Sequence, residues 1–539
     1  MNIKVIMFLF IAPVFITSRI FSQASKLQKN ILDSTTQFIR LNINNISSTF
    51  SNDGLADYYL YNEQGFRFKY PRDKMLGYTN SGFVVGGKIE GNIKVSGTFY
   101  HSAMQPSGDK KIYRVRRDYK TGDLSMEIID GEGTEAEIRN TYTAHWNNWP
   151  AEEGAPYEDK NKNGIYEPEV DIPGYPGSDQ TIWFKANDND TALVKRWFGS
   201  DPLGIEVEYT YWGYKEDAPL GNTIFRKYRI KNTGGKEINE MYCSIQSDFD
   251  IGDPGDDFVG CDTSLALAFI YNRLDNDYIF NNTPPAVGFI YLNGRDIQNK
   301  KIPLSSFNPF INLSPPFEFP ASNSYEYGGL FWYNLFQGKT INGNYYIIPD
   351  QYGGGNTKFP YAGDPITQTG WVDGNPYLLN NRGMNISVGS INLPSSGTIE
   401  LVFALITAGG YNNISRLKAI DSLKLYANYI NEFYKKISDS TTTVYLDYSQ
   451  TRRDLILYQN YPNPFNSVSK ITFYLPERTN VVINVYDILG KTIKSILAGY
   501  KTIGYHTVEF NGDDLASGTY FYEIITERYR SVKKALLLK

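Results

Sequence analysis

The chain has 539 residues, more than one hydrophobic core usually organises, so two or three domains are expected. Hydrophobic residues at 41% and charged residues at 21% exclude a disordered chain. A net charge of −5, with no run of Lys or Arg, excludes the basic stripe that a nucleic-acid surface needs.

Aromatic residues reach 15%, with 43 Tyr and 31 Phe, and these favour strands, while Gly and Pro punctuate turns. The composition therefore predicts a mainly β chain of antiparallel β-sandwich domains. At the start, Lys4 precedes an apolar run from Val5 to Ile16, and Ser18 to Gln23 is a small, polar exit. That pattern predicts a signal peptide over 1–22, since the run is shorter than the ~20 residues of a membrane span. Between Gln23 and Ser51 the pattern is weak: Leu32, Phe38, Ile39 and Leu41 suit one helix face or an edge strand.

Phe83 to Val95 reads as a hairpin turning at Glu90-Gly91-Asn92. Ile205 to Tyr211, Thr223 to Lys231, Glu240 to Ser247 and Gly397 to Ile406 read as further strands of one or two sandwiches spanning 23–450. Ser415 is a suitable N-cap, and Leu417, Ile420, Leu423, Ala427, Ile430 and Phe433 recur at helical spacing, so one helix is expected near 415–437. The polar stretch from Ser438 to Arg453 marks the boundary of a last domain over 451–539.

Two acidic stretches carry candidate chemistry. Asp159, Asn161 and Asn163 alternate and Gly164 follows, the arrangement of a calcium loop. Ile165 would add its carbonyl, Glu167 a carboxylate, and Asp171 flanks a twelfth place filled by Val170. Pro168 argues against a helix leaving the loop, so an EF-hand is not expected, and a metal-free Asx turn is the alternative. The second stretch holds Asp248, Asp250, Asp253, Asp256, Asp257 and Asp262. Like charges so close either surround a cation, fan into solvent, or supply a catalytic carboxylate pair. Cys243 and Cys261, the only cysteines, bracket most of it and either form a disulfide or stay buried as thiols. Three His in the whole chain make a zinc site or a catalytic triad improbable, and no HExxH, GxSxG or phosphate-loop motif occurs.

After Leu455 the texture changes. Gln459-Asn460-Tyr461-Pro462-Asn463-Pro464-Phe465-Asn466 is a rigid entry, followed by six short alternating runs ending at Leu538, the spacing of a small β-sandwich. This entry resembles the type A sorting domain of type IX secretion cargo. So do Val485-Tyr486-Asp487-Ile488-Leu489-Gly490-Lys491, Leu515-Ala516-Ser517-Gly518-Thr519-Tyr520 and the closing Lys533-Lys534 to Lys539. The resemblance implies a Bacteroidetes-type bacterium, a translocon and outer-membrane attachment machinery as partners, and a place outside the cell or on its outer surface. The sorting signal it implies falls on Asn463, Pro464, Phe465, Asn466, Tyr486, Asp487, Gly490, Gly518, Tyr520, Lys534 and Lys539. The expected role is a calcium-stabilised binding or structural module, with a glycan as one ligand class for its seven Trp. The rival is a polysaccharide-acting hydrolase using two carboxylates.

Overall fold

The computed structural model describes residues 36–58, 68–311, 315–318, 320, 328–374, 381–411, 414–439, 455–460, 462–475, 478–501 and 504–539. The expected signal peptide and all but the start of the polar boundary lie outside the described residues. The chain forms two compact units that divide between Lys435 and Lys436.

Two antiparallel sheets build the first unit. In the larger, strands run in the order Asp257–Asp262, Leu267–Asn272, Ala286–Arg295, Thr398–Ala408, Thr223–Asn232, Ile205–Gly213, Gln180–Asn187 and Gln105–Pro106, with Tyr113–Arg116 also on Gln180–Asn187. The smaller runs Leu304–Ile311, Arg382–Leu393, Ile238–Phe249, Thr79–Ile89, Asn92–Phe99 and His101–Ser102. One buried cluster takes Val207, Tyr209 and Tyr211 from the first sheet and Phe83, Val85 and Ile245 from the second. The sheets therefore pack face to face, and Phe83 stacks on Tyr228 across the interface at 4.0 Å.

The outward faces are covered as well. Phe433 of the helix Arg416–Asp439 meets Tyr214 and Phe225 on the larger sheet. Trp332, Leu335 and Phe336 of the helix Gly328–Phe336 pack with Val84, Val95 and Phe99 of the smaller. A sheet buried on both faces needs large apolar residues at consecutive positions, which accounts for the high Tyr and Phe content.

The hairpin expected at 83–95 is Thr79–Ile89 with Asn92–Phe99, and it closes tightly enough that a Cβ on Gly82 would lie 1.6 Å from the Thr98 carbonyl oxygen. The segment around Phe38 is a strand, Phe38–Leu41, paired with Ser48–Ser51. Three further helices of eight residues or more were not read from sequence: Glu135–Asn147, Thr191–Phe198 and Gly328–Phe336. The first carries a capping box from Thr134 and Glu137, a legible signal; the last is buried almost all round and lacks a polar face.

Between the sheets sits a buried ion pair. The Arg226 Nη2 donates to both Asp57 oxygens at 2.7 Å, and its Nη1 donates to Ser81 Oγ at 2.9 Å. Neither partner is measurably exposed. Removing one member alone leaves an uncompensated buried charge. Asp57→Asn or Arg226→Met should each cost about 3–5 kcal/mol in urea unfolding, and the double variant should cost less than the two summed.

Candidate functional site

The second unit is a small β-sandwich. One sheet orders Ile456–Leu457, Val468–Leu475 and Gly504–Asn511; the other orders Thr492–Lys501, Thr479–Tyr486, Gly518–Ile525 and Arg530–Leu537. Ile471, Phe473, Ile483, Val485, Tyr522, Ile524 and Leu537 fill its core. The entry segment is locked onto the last strand. Phe465 N donates to Leu536 O and Leu538 N donates to Phe465 O, both at 2.9 Å, while Asn463 Oδ1 accepts from Leu536 N at 2.8 Å. The Phe465 ring is buried against Phe510. The Tyr522 hydroxyl accepts from Asn460 N and donates to Tyr458 O.

The remaining motif residues divide between framework and surface. Tyr520 is tied by its hydroxyl to Ala516 O, and Tyr486 to Glu523. Asp487 Oδ1 accepts from Leu489 N and Lys491 N, forming a turn with Gly490 at φ +80°. That turn holds Ile488 and Leu489 outward, 70% and 88% exposed. Lys534 and Lys539 are exposed, and the Lys539 ammonium donates to Asp513 O.

In the first unit, the loop 159–171 joins the paired strands Tyr157–Glu158 and Ile172–Pro173. Asp159 accepts from Asn163 N and Gly164 N, and Asn163 Oδ1 accepts from Ile165 N. The Asn161 and Asn163 amides both donate to Glu167 Oε2, at 2.6 and 2.7 Å. Asp171 is buried and accepts from Lys160 N and Glu167 N. The structure thus gathers Asp159, Asn161, Asn163, Glu167 and Asp171 around one turn, and no helix continues from it. Trp146 donates to Pro168 O and fixes the loop to the helix Glu135–Asn147.

The second acidic stretch does not fan into solvent. Asp248, Asp250 and Asp257 are buried, Asp253 is exposed, and Asp262 turns away to Lys424 on the helix Arg416–Asp439. Burial pushes Asp248 up to about 6. Asp250 and Asp257 rise well above the carboxylate range through burial, reinforced by their neighbours' charge. Asp256 rises to about 6 from burial and from Asp253 and Asp277. Among the described residues no three His, Cys, Asp or Glu side chains close around a single point as a ready metal site.

Of the two alternatives for the cysteines, the structure has the buried thiols. Cys243 and Cys261 are two free buried thiols, one in each sheet, and burial raises both above the usual thiol range. The Trp side chains give no exposed platform either: Trp149, Trp183, Trp212 and Trp332 are buried and Trp146, Trp197 and Trp371 half-buried.

Sequence reading missed a cavity of about 590 Å³ lined by Arg40, Arg114, Asp130, Glu132 and His145 among others. No motif marks it, because its charges come from separate elements. Asn42 Nδ2 donates to both Asp130 and Glu132, a paired-carboxylate geometry. Yet Asp130 bears on Arg40, Lys69 and Arg72, and Glu132 on Arg114. Against its burial, these cations hold the Asp130 carboxyl below its ordinary range. A glycosidase needs one acid kept protonated, and the cations around Asp130 act on it in the opposite direction. Burial and Arg114 push His145 down to about 4, so it is neutral here at pH 7.

A chain built as a β-sandwich unit followed by a small sandwich with a locked entry motif fits an exported protein with a terminal address module. Residues 459–538 match the family described as the secretion system C-terminal sorting domain. The chain is therefore cargo of type IX secretion, destined for the cell surface or the extracellular space. No curated protein matches it.

Two outcomes follow from this geometry. Phe465→Ala should lower the stability of the tail's own urea transition by about 3–5 kcal/mol, whereas Leu489→Ser at the exposed turn should shift it by less than about 0.5 kcal/mol. A thiol reagent should label neither cysteine in the native chain and both in denaturant without reductant; a disulfide would give none.

Proposed function

We propose that the region from residue 23 to about 450 is a surface-displayed binding or structural module whose 159–171 loop is held by calcium. In this reading residues 1–22 direct passage into the periplasm of a Bacteroidetes-type cell. The segment 451–539 is then read by the outer-membrane translocon and its attachment machinery. Export rests on the sorting-domain match.

Calcium rests on one observation: Asn161, Asn163 and Glu167 meet at a single carboxylate oxygen beside Asp159 and Asp171. Turning the two amides would present their oxygens to the ion at the cost of the bonds that Asn161 Oδ1 and Asn163 Oδ1 accept from Asn163 N and Ile165 N, an exchange the ion must outweigh. With the Ile165 carbonyl, that gives the all-oxygen set that calcium takes. The loop's main-chain bonds to Asp159 and Asp171 would pre-set the turn, so binding would order few further groups. An ion here would fasten the hairpin Tyr157–Glu158/Ile172–Pro173 to the helix Glu135–Asn147. Its role is stability of the displayed module. A glycan is the ligand class we carry forward for that module, on the aromatic content of the sequence alone.

The test is thermal melting of the purified chain in calcium and in excess chelator. An ion that binds only the folded state at ~100 times its Kd stabilises by about 2.7 kcal/mol, a rise of roughly 3 °C for a unit this large. Asp159→Ala should remove the part of that rise owed to this loop. An unchanged response in the variant would sink the calcium reading.

A further inference from the structure

The cavity where the strands Phe38–Leu41 and Tyr113–Arg116 meet the helix Glu135–Asn147 takes no part in the calcium reading. Its volume of about 590 Å³ lies within the ~300–1,000 Å³ of small-molecule sites. Gln37, Gly131 and Thr141 are exposed and mark the mouth, whereas Arg40, Arg114 and Asp130 are buried. Phe38, Ile112 and Ile138 supply an apolar wall. The acids in the wall are already engaged. Asp130 Oδ1 accepts from Lys69 Nζ at 2.7 Å, and its Oδ2 accepts from Ser47 Oγ at 2.8 Å and from Asn42 Nδ2 and Arg72 Nη2 at 3.1 Å. Glu132 Oε1 accepts from Asn42 Nδ2 and Arg114 Nη1, and its Oε2 accepts from Arg114 Nη2. A cationic ligand finds every carboxylate oxygen taken.

The positive charge is in excess. Lys69 and Arg72 share Asp130, and Arg114 takes Glu132, so among the described residues the cations outnumber the carboxylates before Arg40 is counted. Arg40 also bears on Asp130. Burial pulls its guanidinium below the ordinary range in spite of Asp130 and Glu132, and Arg72 adds repulsion. His145 contributes a donor without a charge. Its Nδ1 accepts from Arg114 N at 3.0 Å, which leaves the proton of the neutral ring on Nε2. Excess positive charge, a neutral donor and an apolar wall thus meet around one volume, and each asks for the same kind of ligand.

We propose that this cavity binds a small organic acid, one carboxylate carried on an apolar body. The carboxylate sits in the field of the surrounding cations with the His145 ring as its donor, and the body lies against Phe38, Ile112 and Ile138. Charge complementarity in a partly desolvated site gives the preference for an anion. A neutral sugar is the poorer fit, because its hydroxyls need acceptors and the carboxylate oxygens here are engaged. The ligand therefore goes beyond the glycan named above for the module. The site shares no lining residue with the 159–171 loop and does not depend on it.

The test is calorimetric titration of the full chain with benzoate, benzyl alcohol, benzylamine and glucuronate, with folding of each variant checked by circular dichroism. Excess chelator is present throughout, so the result is separate from that of the calcium loop. Benzoate should bind at least about tenfold more tightly than benzyl alcohol, the loss expected when one charged contact is removed, and benzylamine should not bind. Thr141→Trp, at an exposed helix position on the mouth, should abolish benzoate binding, and His145→Ala should weaken it about fivefold. Equal binding of benzoate and benzyl alcohol overturns the proposal. So does an absence of benzoate binding in the wild type, or undiminished binding in folded Thr141→Trp. Glucuronate bound more tightly than benzoate overturns the apolar body and puts an acidic sugar in the cavity.

Discussion

The first unit depends on how it tolerates Arg226 between its two sheets. A guanidinium without measurable exposure is expensive to desolvate, and only a carboxylate in bidentate register makes the site acceptable. Asp57 supplies it, and Ser48 and Ser81 satisfy the remaining carboxylate lone pairs. The guanidinium also lies over the rings of Phe50, Tyr211 and Phe289 at 5.1–5.7 Å. Asp57 and Arg226 are 169 positions apart, so the pair can form only when the early strands are seated between the two sheets. One polar contact thus ties the early segment into a core that is otherwise built of aliphatic and aromatic side chains.

The same aromatic core explains what was legible. Strands such as Ile205–Gly213 alternate Ile205, Val207, Tyr209 and Tyr211 toward the opposite sheet, and period two survives even though Trp212 is buried on the other side. The helix Arg416–Asp439 was legible because one face is polar and exposed while Ile420, Leu423, Ala427 and Ile430 are buried. Gly328–Phe336 offered no such contrast: its Gly-Gly start and aromatic run look like a strand or a turn until the sheet beneath it is known. The cysteines show a different limit. Their closeness in sequence leaves a bond and two free thiols equally open, and what decides is that Ile238–Phe249 and Asp257–Asp262 lie in different sheets.

The tail was read most completely because its motif residues serve geometry that sequence spells out locally. Asn463 stands between two prolines and Phe465 follows the second, and they bond to the last strand, Asn463 by its side chain and Phe465 by its main chain. Asp487 and Gly490 make a turn that needs a side-chain acceptor and a positive φ, residue types that announce themselves. What the letters do not say is which of these faces outward. The fold alone separates the locked entry from the exposed Ile488-Leu489 tip.

The two acidic stretches both look like cation loops in sequence and have opposite physics. In 159–171 the backbone supplies donors to Asp159 and Asp171, so the carboxylates are satisfied where they stand, and a cation would add to a finished turn. In 248–257 the strand carries Asp248 into the sheet before the loop begins, so the charge is buried by an element whose inward reach the acid-rich sequence conceals. Counting acids cannot distinguish these cases, because the difference lies in where the main-chain N–H groups point. Destination bears on the first. Calcium sites in extracellular modules work with Kd values of ~10⁻⁴–10⁻³ M, far weaker than cytosolic sensors need. On the proposed calcium reading, the 159–171 loop of a chain addressed to the outside of the cell would fill with an ion met on arrival.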